Sequence, residues 1–195
     1  MKAGRHSGRG WAVWLPLALF AGFIALALSG LFAPAERDVQ SAMIGRPLPE
    51  FALPPALGDK ADEELDSAVG LSSAAFGAGQ PRLLNIFASW CVPCAVEAPQ
   101  LSTLAQEGIA IDGIAIRDRR EDIAAFLDAH GNPYRTIGKD DVSKVQLAIG
   151  SSGVPETFVV DGAGIIRYQH IGPIMDRDIP RIISEWRKAK RPLPA

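Results

Sequence analysis

The sequence predicts one α/β domain, a mixed β-sheet flanked by helices, preceded by a single N-terminal transmembrane helix. Three observations predict this fold class. Residues 11–32 contain no charged side chain, strand-like and helix-like apolar patterns alternate between residues 82 and 150, and a hairpin pattern at 157–168 precedes an amphipathic segment. A chain of 195 residues accommodates one such domain beside a short membrane segment.

The uncharged run at residues 11–32 predicts a transmembrane signal-anchor. At about 1.5 Å per residue, a helix of this length crosses a hydrocarbon layer of roughly 30 Å. Lys2, Arg5 and Arg9 lie in the segment before it. Because positively charged segments stay in the cytoplasm, residues 1–10 are expected there. The domain that follows is then expected in the periplasm of a bacterium, tethered to the inner membrane.

A cleaved signal peptide is the alternative interpretation of this run. Residues 33–35, Ala-Pro-Ala, have the small residues of a cleavage site that would follow Ala35. The run is longer than the apolar core of about 7 to 15 residues in a signal peptide, and Trp11 and Trp14 suit a membrane interface. These two features favour a retained anchor.

Residues 33–45 are predicted to be a linker and residues 46–195 the folded domain. Pro47 and Pro49 push the residues before them out of the helical region, so the domain is expected to begin in an extended segment. Residues 57–80 are rich in Gly, Ser, Ala and acidic residues without a clear period. They predict a surface excursion with at most a short helix.

The central elements follow from apolar patterning. Residues 82–88 form a nearly continuous apolar run, which predicts a strand buried on both faces. A helix is expected from Pro93 to Gly108, with a kink at Pro99. Residues 109–116 predict the next strand.

The same alternation continues into the second half of the domain. Asp118 and Glu121 resemble a capping box, which predicts a helix that ends at Gly131. A short strand is expected at 134–137, and another helix is expected to end at Gly150.

The C-terminal part predicts a hairpin and a helix. Two β-branched stretches surround a glycine-rich turn at 161–164, and the final helix is expected to use Asp178 as its cap. The alternating strands and helices favour parallel pairing, whereas the hairpin adds antiparallel strands. Together they predict a mixed sheet.

The formal net charge of −2 excludes a nucleic-acid binder of the usual basic kind. The surplus positive charge lies before the apolar run, and the rest of the chain is acidic. With two cysteines, the chain also cannot form a four-cysteine zinc site or a mini-protein held by several disulfides. We therefore expect no nucleic-acid partner.

The two cysteines lie at the predicted junction of a buried strand and a helix, in Trp90-Cys91-Val92-Pro93-Cys94. Unpaired backbone N–H groups and the helix dipole stabilise a thiolate at the helix N-terminus, where Cys91 is expected. Cys94 lies one turn further on, close enough to form a disulfide with it. The pattern predicts thiol–disulfide exchange, in which the Cys91 thiolate attacks a substrate disulfide and Cys94 resolves the mixed disulfide.

Two other roles for the cysteine pair receive less support. A structural disulfide that closes so small a loop constrains the unfolded chain little. A metal site needs further ligands, and the histidines are His6, His130 and His170, the first expected across the membrane. Two thiolates would favour copper over zinc. We expect no metal and no cofactor besides the redox-active Cys91–Cys94 pair.

Three features together resemble the thioredoxin superfamily over residues 46–190: WCVPC, Pro99 five residues past the second cysteine, and the sequence GVPET at 153–157. The segments LLNIFASWCVPC, AVEAPQL and AIGSSGVPETFVVDGAGIIRYQHIG, with the N-terminal anchor, are similar to the membrane-tethered thiol:disulfide interchange proteins of cytochrome c maturation, the CcmG/DsbE type.

This resemblance implies a thioredoxin-like fold and a periplasmic domain. It also implies a dithiol reductant that keeps the CxxCH cysteines of apocytochrome c reduced for haem attachment. The partners would be apocytochrome c, the cytochrome c maturation machinery, and a membrane thiol transporter of the DsbD/CcdA type as electron donor.

The resemblance also assigns roles to single residues. It makes Cys91 the nucleophile, Cys94 the resolving thiol and Pro155 a cis-proline that faces the active site. The backbone of Val154 would then present a strand edge to an extended substrate peptide, and Trp90 would contact the substrate beside the cysteines. An ordinary proline at the start of a strand and a tryptophan in the core are the alternative interpretations.

Glu97 and Glu156 match acidic positions that this family carries around its active site. General thioredoxins have a buried aspartate in the strand before the motif, and this chain has Asn85 there. Because asparagine cannot take up a proton, Glu97 or Glu156 would have to assist proton transfer at Cys94. Glu97 could instead complement the helix dipole, and Glu156 could be a solvated strand residue.

The two residues between the cysteines carry no charge, so we expect Cys91 to be only mildly acidic and the couple to be fairly reducing. Two other functions stay open. A related tethered thioredoxin could reduce other periplasmic substrates, such as copper-site assembly proteins, or work as an oxidant. A non-catalytic module could bind apocytochrome c.

Overall fold

The computed structural model describes residues 11–32, 42–58, 69–77 and 79–191. The chain divides into two compact units, Met1–Val39 and Gln40–Ala195. The predicted cytoplasmic segment 1–10, residues 33–41 of the predicted linker and the cleavage position after Ala35 lie outside the described residues.

Helix α1 (Trp11–Phe32) forms in the first unit over the uncharged run. Its side chains are described at residues 14–26 and 28–29, all of them exposed. When only the described residues are considered, no helix is both long and apolar enough to cross a membrane.

A two-stranded sheet opens the second unit. Strand β1 (Ala52–Leu53) pairs antiparallel with β2 (Leu71–Ser72), and a short 3-10 helix follows at Ser73–Gly77. Leu71 and Phe76 are buried, so the expected surface location is wrong for this part of the segment. Residues 59–68 and 78 lie outside the described part of the chain.

The main sheet of the second unit has five strands of mixed direction. They are β3 (Arg82–Phe87), β4 (Ile111–Ile116), β5 (Ile137–Asp140), β6 (Glu156–Val160) and β7 (Ile166–Ile171). Their order is β5-β4-β3-β6-β7, with β3, β4 and β5 parallel and β6 antiparallel to both of its neighbours. The predicted α/β class and mixed sheet are confirmed, and β3 is an inner strand.

Helices connect and follow these strands. They are α2 (Val92–Gln106), α3 (Arg120–His130), α4 (Lys144–Ala148) and α5 (Ile179–Ala189). Leu104 of α2 and Ile182 of α5 belong to one buried cluster with Leu83 of β3. Phe126 of α3 belongs to a second cluster, which also contains Phe87. These two clusters hold the helices on the sheet and fix the end of β3, where α2 begins.

Asp178 is the N-cap residue of α5 as predicted, whereas Asp118 is not that of α3, and neither helix has a side-chain capping bond. Helix α3 has Arg119 as its N-cap residue, without a side-chain capping bond, and Asp118 accepts hydrogen bonds from Ser89 instead. Asp178 lies at the N-cap position of α5, but its carboxylate accepts the N–H of Met175, which lies before the helix. The local pattern indicated where the helices begin but not the partner of each carboxylate.

The strand after α3 lies further along the chain than expected. It was expected at 134–137, and β5 begins at Ile137. The side chain of Asn132 accepts the N–H of Tyr134 at 3.0 Å, which keeps Tyr134 in a turn before the strand. As a result, the backbone of Tyr134 lies outside the sheet, and its ring stacks on Phe87 of β3.

Candidate active site

The cysteines lie at the end of the inner strand β3, at the start of α2. Cys91 is the N-cap residue of α2, forms a disulfide with Cys94, and its Sγ accepts the N–H of Cys94 at 3.2 Å. Cys91 is 4% exposed and Cys94 2%. The Cys94 N–H in the first turn therefore points at the Cys91 sulfur, which favours a thiolate there once the disulfide is reduced.

An exposed apolar surface borders the cysteines. Trp90 is 53% exposed, and Val92 is also exposed, so the structure places Trp90 on the surface rather than in the core. The indole N–H of Trp90 donates to the Arg117 carbonyl at 3.2 Å, and the Arg117 guanidinium carbon lies 5.9 Å from the ring centroid. The loop after β4 thus fixes the orientation of the tryptophan beside Cys91.

Asp118 connects that loop to the segment before Cys91. Its carboxylate accepts the N–H of Ser89 at 2.6 Å, the Ser89 hydroxyl at 2.7 Å and the N–H of Arg119 at 2.9 Å. From the sequence, Asp118 was predicted only as a helix cap. The position of Asp118 after β4, parallel to β3, is the signal that could have placed it beside the cysteine loop, because the carboxyl ends of parallel strands share one edge.

The segment before β6 carries the predicted cis-proline. The Val154–Pro155 peptide bond is cis in the structure. Glu156, the first residue of β6, is buried, so the solvated alternative does not describe it. Its Oε1 accepts from the N–H of Ser152 at 2.9 Å, the Ser152 hydroxyl at 2.7 Å and the N–H of Gly153 at 3.1 Å.

The second oxygen of Glu156 accepts from Nε2 of Gln169 at 2.6 Å. Both oxygens are therefore engaged by the loop that leads to Pro155 and by the neighbouring strand β7. This arrangement suits a carboxylate that holds the loop, because each of its contacts is a hydrogen-bond donor.

Glu97 lies in α2, one turn after Cys94, and is 0% exposed. Its Oε1 accepts from Nδ2 of Asn85 at 2.9 Å, and its Oε2 accepts the N–H of Ile174 at 3.0 Å. Burial disfavours the charged form and raises the pKa of Glu97 from 4.5 to about 7, although the hydrogen bonds from Ile174 and Asn85 oppose this. Glu97 can therefore gain or lose a proton near neutral pH.

Asn85 joins Glu97 to two further side chains. Its Nδ2 also donates to the Thr157 hydroxyl at 3.0 Å, and its Oδ1 accepts the Tyr134 hydroxyl at 2.7 Å. Asn85 and Thr157 are paired across β3 and β6. Tyr134 and Thr157 were not predicted from the sequence as site residues. The position of Thr157 beside Pro155 was a usable signal, whereas Tyr134 lies in an irregular segment without one.

The structure thus brings together two groups of predicted residues. Glu97 of the cysteine helix is hydrogen-bonded to Asn85 of β3, whereas Glu156 holds the loop of Pro155, and the two glutamates have separate hydrogen-bond partners. Within residues 11–32, 42–58, 69–77 and 79–191, no three His, Cys, Asp or Glu side chains are grouped as metal ligands. The chemistry available at this site is that of two thiols and a nearby carboxyl group.

Comparisons with known proteins agree with this description. The model of the AhpC/TSA family matches residues 44–169. The thiol:disulfide interchange protein DsbE of Pseudomonas fluorescens biotype C is 37% identical over 165 residues, which cover 84% of this chain and 86% of the relative. The thiol:disulfide interchange protein HelX of Rhodobacter capsulatus is 38% identical over 175 residues, which cover 88% and 93%.

A solved structure shows the same fold. The crystal structure of a thioredoxin-family thiol:disulfide interchange protein from Chlorobium tepidum TLS aligns with a TM-score of 0.54 at 24% sequence identity, over 74% of this chain and 96% of that one. The mixed sheet with its flanking helices is therefore thioredoxin-like.

Proposed function

Because the chain belongs to the AhpC/TSA family and is a thiol:disulfide oxidoreductase with a thioredoxin-like fold, we propose that it reduces the CxxCH cysteines of apocytochrome c during cytochrome c maturation. The observation that carries the proposal is the Cys91–Cys94 pair at the start of α2, with the buried carboxyl group of Glu97 one turn after Cys94. The choice of substrate is supported by the resemblance of three segments, LLNIFASWCVPC, AVEAPQL and AIGSSGVPETFVVDGAGIIRYQHIG, to the cytochrome c maturation branch.

The reaction proceeds in two exchanges. The Cys91 thiolate attacks one sulfur of the substrate disulfide, and the other substrate sulfur leaves as a thiolate that takes up a proton from water. Cys94 then loses its thiol proton to Glu97 and attacks the Cys91 sulfur. The second substrate sulfur leaves as a thiolate and is protonated in turn. The Cys91–Cys94 disulfide forms, so two electrons have passed from the protein to the substrate.

The two glutamates have different roles in this scheme. Glu97 lies on the cysteine helix and is the proton acceptor for Cys94. Glu156 holds the loop before Pro155 through Ser152 and Gly153, and so acts on substrate binding. Trp90 and the backbone of Val154 contact the extended substrate peptide on either side of the cysteines.

The redox-active cysteine pair is the only cofactor that the scheme requires. A membrane thiol transporter of the DsbD/CcdA type returns two electrons to the oxidised pair. We place the domain in the periplasm, where disulfides form, because the resemblance to tethered interchange proteins and the positive charges before residues 11–32 both favour that side.

The anchor is tested on cells that express the full chain. We expect the protein to stay with carbonate-washed inner membranes, a membrane-impermeant maleimide to label reduced Cys91 in intact cells, and mass spectrometry to find residues 1–35 retained. A mature N-terminus at Glu36 would identify a cleaved signal peptide instead. Labelling only after the cells are broken would place the domain in the cytoplasm and contradict the proposal.

The direction of electron flow is tested by the reduction potential. We expect the full chain in detergent, equilibrated with glutathione buffers, to give a value between roughly −180 and −270 mV, as for dithiol reductants and isomerases. The two residues between the cysteines are uncharged, and the groups nearby include carboxyl groups. Neither adds much to the stabilisation of the thiolate that the helix N-terminus provides. A value near −120 mV would indicate an oxidant, and one below about −300 mV a structural disulfide.

Substrate choice is tested with two oxidised peptides of equal length, one containing CxxCH and one in which the same disulfide lacks the cytochrome context. We expect the reduced protein to convert the CxxCH peptide at least about tenfold faster. Equal rates would support the tethered thioredoxin with broader periplasmic substrates. Binding of the CxxCH peptide without reduction would support the non-catalytic module.

A further inference from the structure

Tyr134 makes a side-chain contact with the site that the proposed reaction does not yet use. Its hydroxyl donates to Oδ1 of Asn85 at 2.7 Å, and its ring stacks on Phe87 with centroids 4.8 Å apart. A Cβ atom added to Gly113, the neighbour of Asn85 on β4, would lie 3.1 Å from Cδ1 of Tyr134. The absence of a side chain at Gly113 therefore leaves room for the tyrosine to reach Asn85.

The amide of Asn85 can adopt two orientations that differ by an exchange of its oxygen and nitrogen. In the observed orientation, the nitrogen donates to Glu97 and Thr157, and the oxygen accepts from Tyr134. In the reverse orientation, the amide oxygen would face the carboxylate of Glu97, and the tyrosine proton would lose this acceptor. The first orientation therefore supports a charged Glu97, and the second supports a protonated one.

The tyrosine hydroxyl distinguishes the two orientations because it stays protonated. Burial and the charge of Glu97 raise the pKa of Tyr134 well above its ordinary value. A phenol that keeps its proton prefers an acceptor, and only the observed orientation of Asn85 provides one.

We propose that Tyr134 is a positioning residue whose hydroxyl fixes the amide of Asn85 as a donor to Glu97 and thereby keeps Glu97 ready to receive the Cys94 proton. The proposal deepens the proposed function and rests on its proton transfer from Cys94 to Glu97. It assigns to Tyr134 no contact with the substrate or with the sulfur atoms.

Other titratable groups near Glu97 stay in place when the tyrosine changes. Cys94 lies on the same helix, His170 of β7 pairs with Thr157, and Asp176 of the segment before α5 accepts from Gln100 of α2. A replacement that removes only the Tyr134 hydroxyl leaves each of these groups unchanged, so an altered titration of Glu97 reports on the tyrosine.

Tyr134→Phe is the test variant, because phenylalanine keeps the ring stack on Phe87. We expect NMR of the full chain in detergent, with its glutamate carboxyl carbons labelled, to show Glu97 titrating at a pH higher by at least half a unit than in the parent protein. The rate at which Cys94 resolves a mixed disulfide is expected to shift to higher pH by the same amount and to recover at high pH. Tyr168→Phe, at the other tyrosine, is the matched control and is expected to change neither value.

Asn85→Ala provides a second background for the same test. With the amide absent, we expect Glu97 to titrate at the same pH in Asn85→Ala and in the double variant that also carries Tyr134→Phe. The proposal is overturned if Tyr134→Phe and Tyr168→Phe give the same Glu97 titration, or if Tyr134→Phe still shifts it in the Asn85→Ala background.

Failure of the proposed function has a different signature. If Glu97→Gln leaves the pH profile of mixed-disulfide resolution unchanged, Glu97 is not the proton acceptor. The NMR titration would then still report whether Tyr134 orients Asn85.

Discussion

Replacement of Cys94 by serine is expected to trap the protein as a mixed disulfide through Cys91 and to lower turnover by at least about a thousandfold. Cys91 is the N-cap residue of α2, where the thiolate is stabilised, so it forms the bond to the substrate. A serine hydroxyl at position 94 cannot attack that bond under the same conditions. Non-reducing electrophoresis and mass spectrometry of the adducts measure the outcome.

The matched control is Cys91→Ser, which is expected to lose turnover to a similar extent without accumulating adducts. The contrast between the two variants identifies the attacking sulfur. Adducts that form in Cys91→Ser but not in Cys94→Ser would reverse the assigned roles. Normal turnover in the double variant would show that the cysteines are not the reacting groups.

The stability of the oxidised protein is expected to fall as the pH rises from about 4 to 8, and Glu97→Gln is expected to remove much of that fall. The pKa of Glu97 is about 7 in the folded protein against an ordinary 4.5, so between these values the folded state binds a proton that the unfolded state has lost. The contribution of Glu97 to the free energy of unfolding is fully present below pH 4.5 and is lost as the pH rises through 7. Its upper limit is roughly 3 kcal/mol.

Urea unfolding at several pH values measures this effect, and the disulfide is kept intact so that the thiols do not titrate. The control is Glu107→Gln, an exposed position just after the same helix, which is expected to leave the pH dependence of the parent protein unchanged. Parallel pH profiles for the parent protein and Glu97→Gln would show that burial does not raise the Glu97 pKa in this way.

The sequence predicted most of the main sheet and its helices because their signals are local. The continuous apolar run that became β3 and the glycine-rich turn between β6 and β7 can be recognised without knowledge of distant residues. Strands β1 and β2 have two residues each, too few for any periodicity. Tyr134 was assigned to a strand because its turn depends on the side chain of Asn132.

The candidate site was predicted as far as its motifs extended. The cysteine spacing identified Cys91 and Cys94, and the resemblance identified Glu97 and Pro155. The hydrogen-bond partners in the site come from distant parts of the chain: Glu97 accepts the N–H of Ile174, which lies 77 positions further along. The capping pattern at Asp118 misled for the same reason, since its acceptor role depends on Ser89, which a local pattern does not include.

Because β3 is an inner strand, little free energy is needed to order the active site in each catalytic cycle. The strand is hydrogen-bonded along both edges, and Asp118 and Glu156 fasten the loops on either side of the cysteines. The backbone is therefore preorganised, and the change between the Cys91 thiolate with the Cys94 thiol and their disulfide can be confined to the sulfur atoms and the one proton of Cys94. Most of the free energy of substrate binding is therefore available for another purpose. It can align the attacking, central and leaving sulfur atoms for exchange.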